Sequence, residues 1–268
     1  MNVKGILILT YLVLITILLS GPIFSVIYYS FFDIVSGEFS LSGYGSIFAG
    51  EFSEYLGTSP ISSIVNTIFF ASLSLLLSIT LGTIAAYSIS RANFSGKNLY
   101  SLLILIPIGT SSMSLALGLI RAYGNFPILR ENSWIFIVLS HTILGLPFVT
   151  RSILNSLERI DKNLIDASDS LGSSRFNTFF TVELPLIYPS FVTGGVFSFA
   201  MSVGEMSMAL FFSSPRTMTM TVSMYRYMGV RKYLEASAMG SILILISTLS
   251  FLMIRKIGRW AFLEEGKI

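Results

Sequence analysis

Apolar side chains do not alternate with polar ones along this chain. They come in long runs, each closed by a charge. Gly5 to Phe32 holds no charged side chain, and Ile61 to Ser90 is likewise uncharged until Arg91. Asn98 to Ile120 is closed by Arg121, and Ser133 to Thr150 by Arg151. Leu184 to Pro215 contains one charge, Glu205, and Ala236 to Ile254 ends at Arg255. Crossing about 30 Å of hydrocarbon takes about 20 apolar residues in a helix, so the pattern predicts six transmembrane helices. The first run follows Lys4, as a secretory leader would. It is too long for a leader's apolar region and no small-x-small cleavage site follows it, so it reads as a retained span.

Composition fits that picture. The chain has 268 residues, 53% hydrophobic and only 12% charged, with a mean hydropathy of +0.77. Soluble domains carry about 25% charge. The deficit excludes a disordered chain, a nucleic-acid binder and an ordinary soluble enzyme, and a net charge of +3 without a basic cluster agrees. Zero cysteines exclude a disulfide scaffold, a zinc ribbon and an iron–sulfur site. With the N-terminus inside, 11 of the 17 Lys and Arg lie on the cytoplasmic side. Asp33 to Pro60 carries no basic residue but has Asp33, Glu38, Glu51 and Glu54, and should face out. Both termini are then cytoplasmic in a multi-pass plasma-membrane protein.

Two stretches between spans stand out. Glu205 to Glu235 lies on the outer side. Arg151 to Glu183, between the fourth and fifth spans, holds nine of the charges. Asn163 can cap a short helix there through Ser170 or Leu171, and Gly172 supplies a left-handed end. Ser173 or Ser174 can cap a second helix from Arg175 onward, which Pro185 admits into the next span. Leu164, Ile165 and Leu171 would offer apolar surface beside Asp166 and Asp169. A soluble loop with capped helices would have the same pattern.

This segment resembles the cytoplasmic loop of permease subunits of binding-protein-dependent type I ABC importers, whose pattern is E-A-A, three residues, G, nine residues, I-x-L-P. Here Asp166-Ala167-Ser168, three residues, Gly172, nine residues, then Val182-Glu183-Leu184-Pro185 keep every spacing. Asp166, Ser168 and Val182 are mild departures. Gly204-Glu205 and the run Thr217 to Tyr225 resemble the iron(III), thiamine and molybdate permeases, with Met220 and Thr221 where Leu and Pro are usual. The resemblance implies an all-α permease fold with six spans and a coupling-helix loop between spans 4 and 5. It divides the chain into a first helix and extracytoplasmic segment (1–60), a transmembrane core (61–259) and a cytoplasmic tail (260–268). Asp166, Ala167, Ser168, Gly172, Leu184 and Pro185 would form the ATPase-coupling loop. The implied partners are cytoplasmic ATPase subunits, a second permease, identical or paralogous, and an extracytoplasmic binding protein, all assembled in membrane lipid. No G-x-x-x-x-G-K-[ST] run exists, so no cofactor is expected in this chain and ATP would bind the partner. The cargo reading is iron(III) or thiamine, with molybdate, tungstate or a polyamine as alternatives.

Glu205 reads either as a carboxylate lining a translocation pathway, since an acid near the membrane is costly elsewhere, or as an interfacial cap after Gly204. Eight of the 11 methionines fall between 201 and 239. They read as adaptable filler rather than a soft-metal site, and no metal site is expected. His141 has no second histidine or cysteine to join it and reads as structural. Gly82, Gly118, Gly145, Gly194 and Gly195 read as close-packing positions between helices. A secondary transporter without an ATPase would need inverted repeats and several intramembrane charges; the sequence offers neither. An intramembrane enzyme would need a nucleophile–base pair that the residues do not assemble.

Overall fold

A computed structural model describes residues 3–92 and 94–265. The tail expected at 260–268 lies outside the described residues from 266 onward. Among the described residues the chain is helical, with no strand beyond two isolated β-bridges. The helices are α1 (Val3–Tyr29), α2 (Ser42–Phe48), α3 (Pro60–Arg91), α4 (Lys97–Leu103), α5 (Ile106–Gly109), α6 (Ser112–Tyr123), α7 (Pro127–Glu131) and α8 (Ser133–Leu157). After them come α9 (Lys162–Ser170), α10 (Arg175–Thr178), a π-helical turn (Phe179–Glu183), α11 (Leu184–Gly204), α12 (Ser207–Phe212), α13 (Met220–Gly229) and α14 (Tyr233–Glu265).

Five of these helices are long and apolar enough to cross a membrane. They correspond to the first, second, fourth, fifth and sixth charge-free runs. The third run differs from the expected single span, because Asn98 to Ile120 is divided among α4, α5 and α6. Pro107 opens α5, and after Gly109 the backbone is extended at Thr110 (ψ 141°) and Ser111 (ψ 130°). A charge count registers no such break, because proline, glycine and hydroxyl residues are as uncharged as leucine.

The chain folds as two compact units, Met1–Val65 with Met218–Ile246, and Asn66–Thr217 with Ser247–Ile268. In the second unit α8 is the most buried span, flanked by α3 and α11. Helix contact in lipid lacks a hydrophobic driving force, so small residues and hydroxyls mediate it. A Cβ on Gly82 would stand 2.8 Å from Val149 Cγ1, and one on Gly194 would stand 2.8 Å from Val149 Cα. Val149 is thus seated between two glycines on α3 and α11. Gly118 has nothing of this chain within 4 Å of the corresponding position. Ser74 donates to Val138 O at 3.2 Å and Ser78 to Thr142 O at 3.4 Å, joining α3 to α8. His141 Nδ1 lies 2.7 Å from Ser202 Oγ, joining α8 to α11.

Two apolar cores fill this unit. One gathers Phe70, Ala116, Leu119, Phe136, Met208 and Phe212, with Phe136 and Phe212 stacked at 5.0 Å. The other gathers Ala86, Ile89, Ile153, Leu157 and Ile187. In the first unit, Ile47, Met220, Ala238 and Met239 form the core, with Tyr44 and Met224 against it. Tyr44 Oη donates to Ser30 Oγ at 2.8 Å and lies 2.6 Å from Ser241 Oγ. Met208, Met220 and Met239 stand among apolar side chains, which suits the filler role.

Replacing Gly194 by Leu should cost about 1–3 kcal/mol through overpacking against Val149. It should lower the thermal unfolding midpoint in detergent. Gly118→Ala should leave that midpoint unchanged or raise it slightly, because it removes a flexible residue from a helix.

Candidate coupling loop and Glu205 cap

The loop is built by local chemistry. The cap of α9 is Asp161 rather than Asn163: its Oδ1 accepts from Asn163 N at 2.9 Å. A cap needs extended backbone at its own residue, and Asp161 has it (ψ 126°). The far end closes on Gly172, whose φ of +81° strains any residue with a Cβ. Gly172 N donates to Asp169 O at 3.0 Å and Ser173 N to Ser168 O at 3.1 Å, the paired bonds of a Schellman end. Ser174 then caps α10 by accepting from Asn177 N at 3.3 Å.

Side chains hold the two short helices together. Ser168 Oγ meets Thr178 Oγ1 at 2.9 Å, and Asn177 Nδ2 donates to Ser173 Oγ at 2.9 Å. The exposed Asp169–Arg175 pair, at 3.5 Å, adds little. Ile165 is buried, contrary to the expectation of an apolar outer face there. Leu164 remains half exposed, and Leu171 and Phe176 are 89% and 76% exposed. The loop therefore ends in a rigid knob with an apolar tip, a surface typical of a protein contact.

The chain then enters α11 through the π turn, which the sequence pattern does not signal. Phe179 packs edge-on against Tyr87 of α3 at 5.2 Å. Within the same turn Glu183, only 2% exposed, accepts on Oε1 from Arg91 Nε at 2.8 Å and pairs with Nη2 at 2.5 Å. Arg91 Nη2 also reaches Leu157 O at the end of α8, at 3.5 Å.

At the other end of α11, Gly204 closes the helix and Glu205 is extended (ψ 119°). Glu205 Oε1 accepts from Met208 N at 2.9 Å, satisfying a donor in the first turn of α12. Its Oε2 accepts from Ser112 Oγ at 3.4 Å, at the start of α6 just beyond the break in the third run. The carboxylate thus sits where three chain segments meet.

Residues 78–261 match the family described as Binding-protein-dependent transport system inner membrane component. The chain belongs to this family. It is 33% identical over 181 residues to the molybdenum transport system permease protein ModB of Haemophilus influenzae, covering 62% of this chain and 79% of that one. It is 27% identical over 223 residues to the ferric transport system permease protein FbpB of Actinobacillus pleuropneumoniae, covering 82% of this chain but only 32% of that longer protein. A crystal structure of a bacterial ABC transporter that imports the acidic polysaccharide alginate shares the fold, with a TM-score of 0.74 at 18% identity and 96% of each chain covered. The protein is an ABC importer permease, a multi-pass membrane transport component and not an enzyme.

In the permease, Asp166, Ala167, Ser168 and Gly172 come together on the knob, with Asp166 and Ala167 facing solvent. Leu184 and Pro185 do not join them. They form the first turn of α11, beyond the π turn, in a helical segment that runs on from α10, so Pro185, lacking an N–H, cannot donate back to a carbonyl of the preceding turn. Glu205 lies at the far end of α11. Sequence reasoning missed Phe176, Arg91 and Glu183. The first is an aromatic in a charged stretch, a signal that was available. The other two are 92 residues apart, and only folding pairs them.

Asp161→Ala should cost about 0.5–2 kcal/mol of α9 stability, read as faster hydrogen exchange at the Lys162–Ser170 amides. Glu183→Ala should cost about 3–5 kcal/mol by leaving the Arg91 charge largely buried without its partner, read as a lower unfolding midpoint in detergent.

Proposed function

We propose that the knob from Asp161 to Thr178 is the element through which a separate cytoplasmic ATPase drives this permease. The observation that carries the reading is the apolar tip, Leu164, Leu171 and Phe176, held on a turn that only glycine adopts without strain. The bias of Lys and Arg supports a cytoplasmic position for this face and for both termini. ATP binding falls to the partner because this chain has no phosphate-binding loop. A second permease, identical or paralogous, completes the pathway through residues 61–259, and an extracytoplasmic binding protein delivers the cargo. The alginate transporter, solved also with a pentasaccharide-bound periplasmic protein, supports that arrangement by likeness of fold.

For the cargo we propose an inorganic ion, iron(III) or a molybdate-like oxyanion. Support comes from the names of relatives, most of which specify molybdenum, ferric iron or sulfate, although one at 31% identity is named for sulfoquinovosyl glycerol. Glu205 is the proposed pathway residue, exercising that role beside its capping bonds. Its charge suits a cation, whereas an oxyanion would be bound by backbone donors and hydroxyls nearby.

Gly172→Trp should abolish co-purification of the ATPase encoded alongside the permease while the permease still inserts; retained binding and transport would sink the docking role. Purifying the adjacent binding protein and identifying its bound ligand against iron(III), molybdate, sulfate and thiamine decides the cargo. Glu205→Gln keeps an oxygen able to accept from Met208 N. It should lower uptake of that ligand with little change in unfolding midpoint, and unchanged uptake would leave capping as its whole role.

A further inference from the structure

Force applied to the knob reaches α11 directly, because the chain runs from α10 through the π turn into that helix. It has no covalent route to α3, which ends 92 residues before Glu183. The Arg91–Glu183 pair is largely buried, whereas Arg175–Asp169 and Lys232–Glu235 are partly exposed. Both guanidinium donors converge on the same carboxylate oxygen, at 2.8 and 2.5 Å. The same guanidinium reaches the Leu157 carbonyl at the end of α8, where a helix end favours positive charge.

We infer that Arg91 and Glu183 form a positioning joint that makes α3 follow the coupling loop; this rests on the docking role proposed above. Three features support it. The knob is internally braced by caps, the Schellman bonds and the Ser168–Thr178 contact, so a push is passed on rather than absorbed. The joint lies in the π turn, a wider helical form that occurs mostly as single turns and often at functional sites. The pair is also buried enough that parting it strands a charge, which makes separation of the α3 end from the turn costly while both partners are present.

The test uses the permease–ATPase complex in lipid nanodiscs, with hydrogen exchange read on peptides from 80–91 and 162–178. Trapping with ATP and orthovanadate should change exchange in both peptides of the native complex, by about fivefold or more at 80–91. In Glu183→Gln the response at 162–178 should persist and that at 80–91 should be lost, with ATP hydrolysis retained. The exchanged pair R91E/E183R should recover it. An apolar pair, R91M/E183L, keeps the site packed without an unpaired charge and should fold, bind the ATPase and lack the response at 80–91. A role confined to holding the fold would lower stability without separating the two peptides. The inference is overturned if 80–91 does not respond in the native complex, if its response survives in E183Q or the apolar pair, or if the exchanged pair assembles without recovering it. If the ATPase gives no protection at 162–178 in the native complex, the docking role itself fails, and the joint with it.

Discussion

Inside hydrocarbon a polar group can bond only with protein, and the arrangement of this permease is set by that constraint. Two hydroxyls of α8 return to their own helix, Ser140 to Ile137 O and Thr142 to Val138 O, while Ser152 donates across to Ser190 O of α11. Others reach a neighbouring helix, as Ser74 and Ser78 do from α3. Since leucine gains nothing by leaving lipid for another leucine, contact area alone does not bring these helices together. Close approach does, and it needs Gly82 and Gly194 on either side of Val149.

The few charges placed within the helical core work as joints. Glu183 serves by pairing, so its burial holds only while Arg91 is present. Glu205 serves by capping, accepting from the backbone of α12 while it holds Ser112 at the broken run. The two carboxylates stand at opposite ends of α11, one beside the loop that meets an ATPase in our reading and the other at the proposed pathway. A single helix therefore carries both, and its displacement is shared by both ends.

How much of this the sequence shows depends on the range of each interaction. Helix ends set by neighbours are legible: Gly172 at its turn, Ser174 at its cap, Pro185 in the first turn of α11. The runs of apolar residues give five of the long helices, because crossing lipid is a property of composition. The third run misleads because Thr110 and Ser111 are extended without adding charge. Asn163 competes with Asp161 for the same cap two residues apart, and backbone conformation decides between them. The Arg91–Glu183 contact and the π turn are invisible for another reason: each depends on where distant segments meet. For Glu205, both sequence readings concern one carboxylate, and its capping bonds add detail without removing the transport reading.

Helix α1 is held to its place by hydropathy more than by packing. None of its apolar window from Leu7 to Tyr29 is buried against the rest of the chain. Selection acting on such a helix sees average hydropathy and length, not the identity of individual side chains. Substitutions among Leu, Ile, Val and Phe there leave both properties nearly unchanged. In α8, by contrast, a residue such as Val149 is held by neighbours on both sides, where added or lost volume is costly. The family match begins only at residue 78. The first span therefore holds its place by length and composition, which many different sequences can supply.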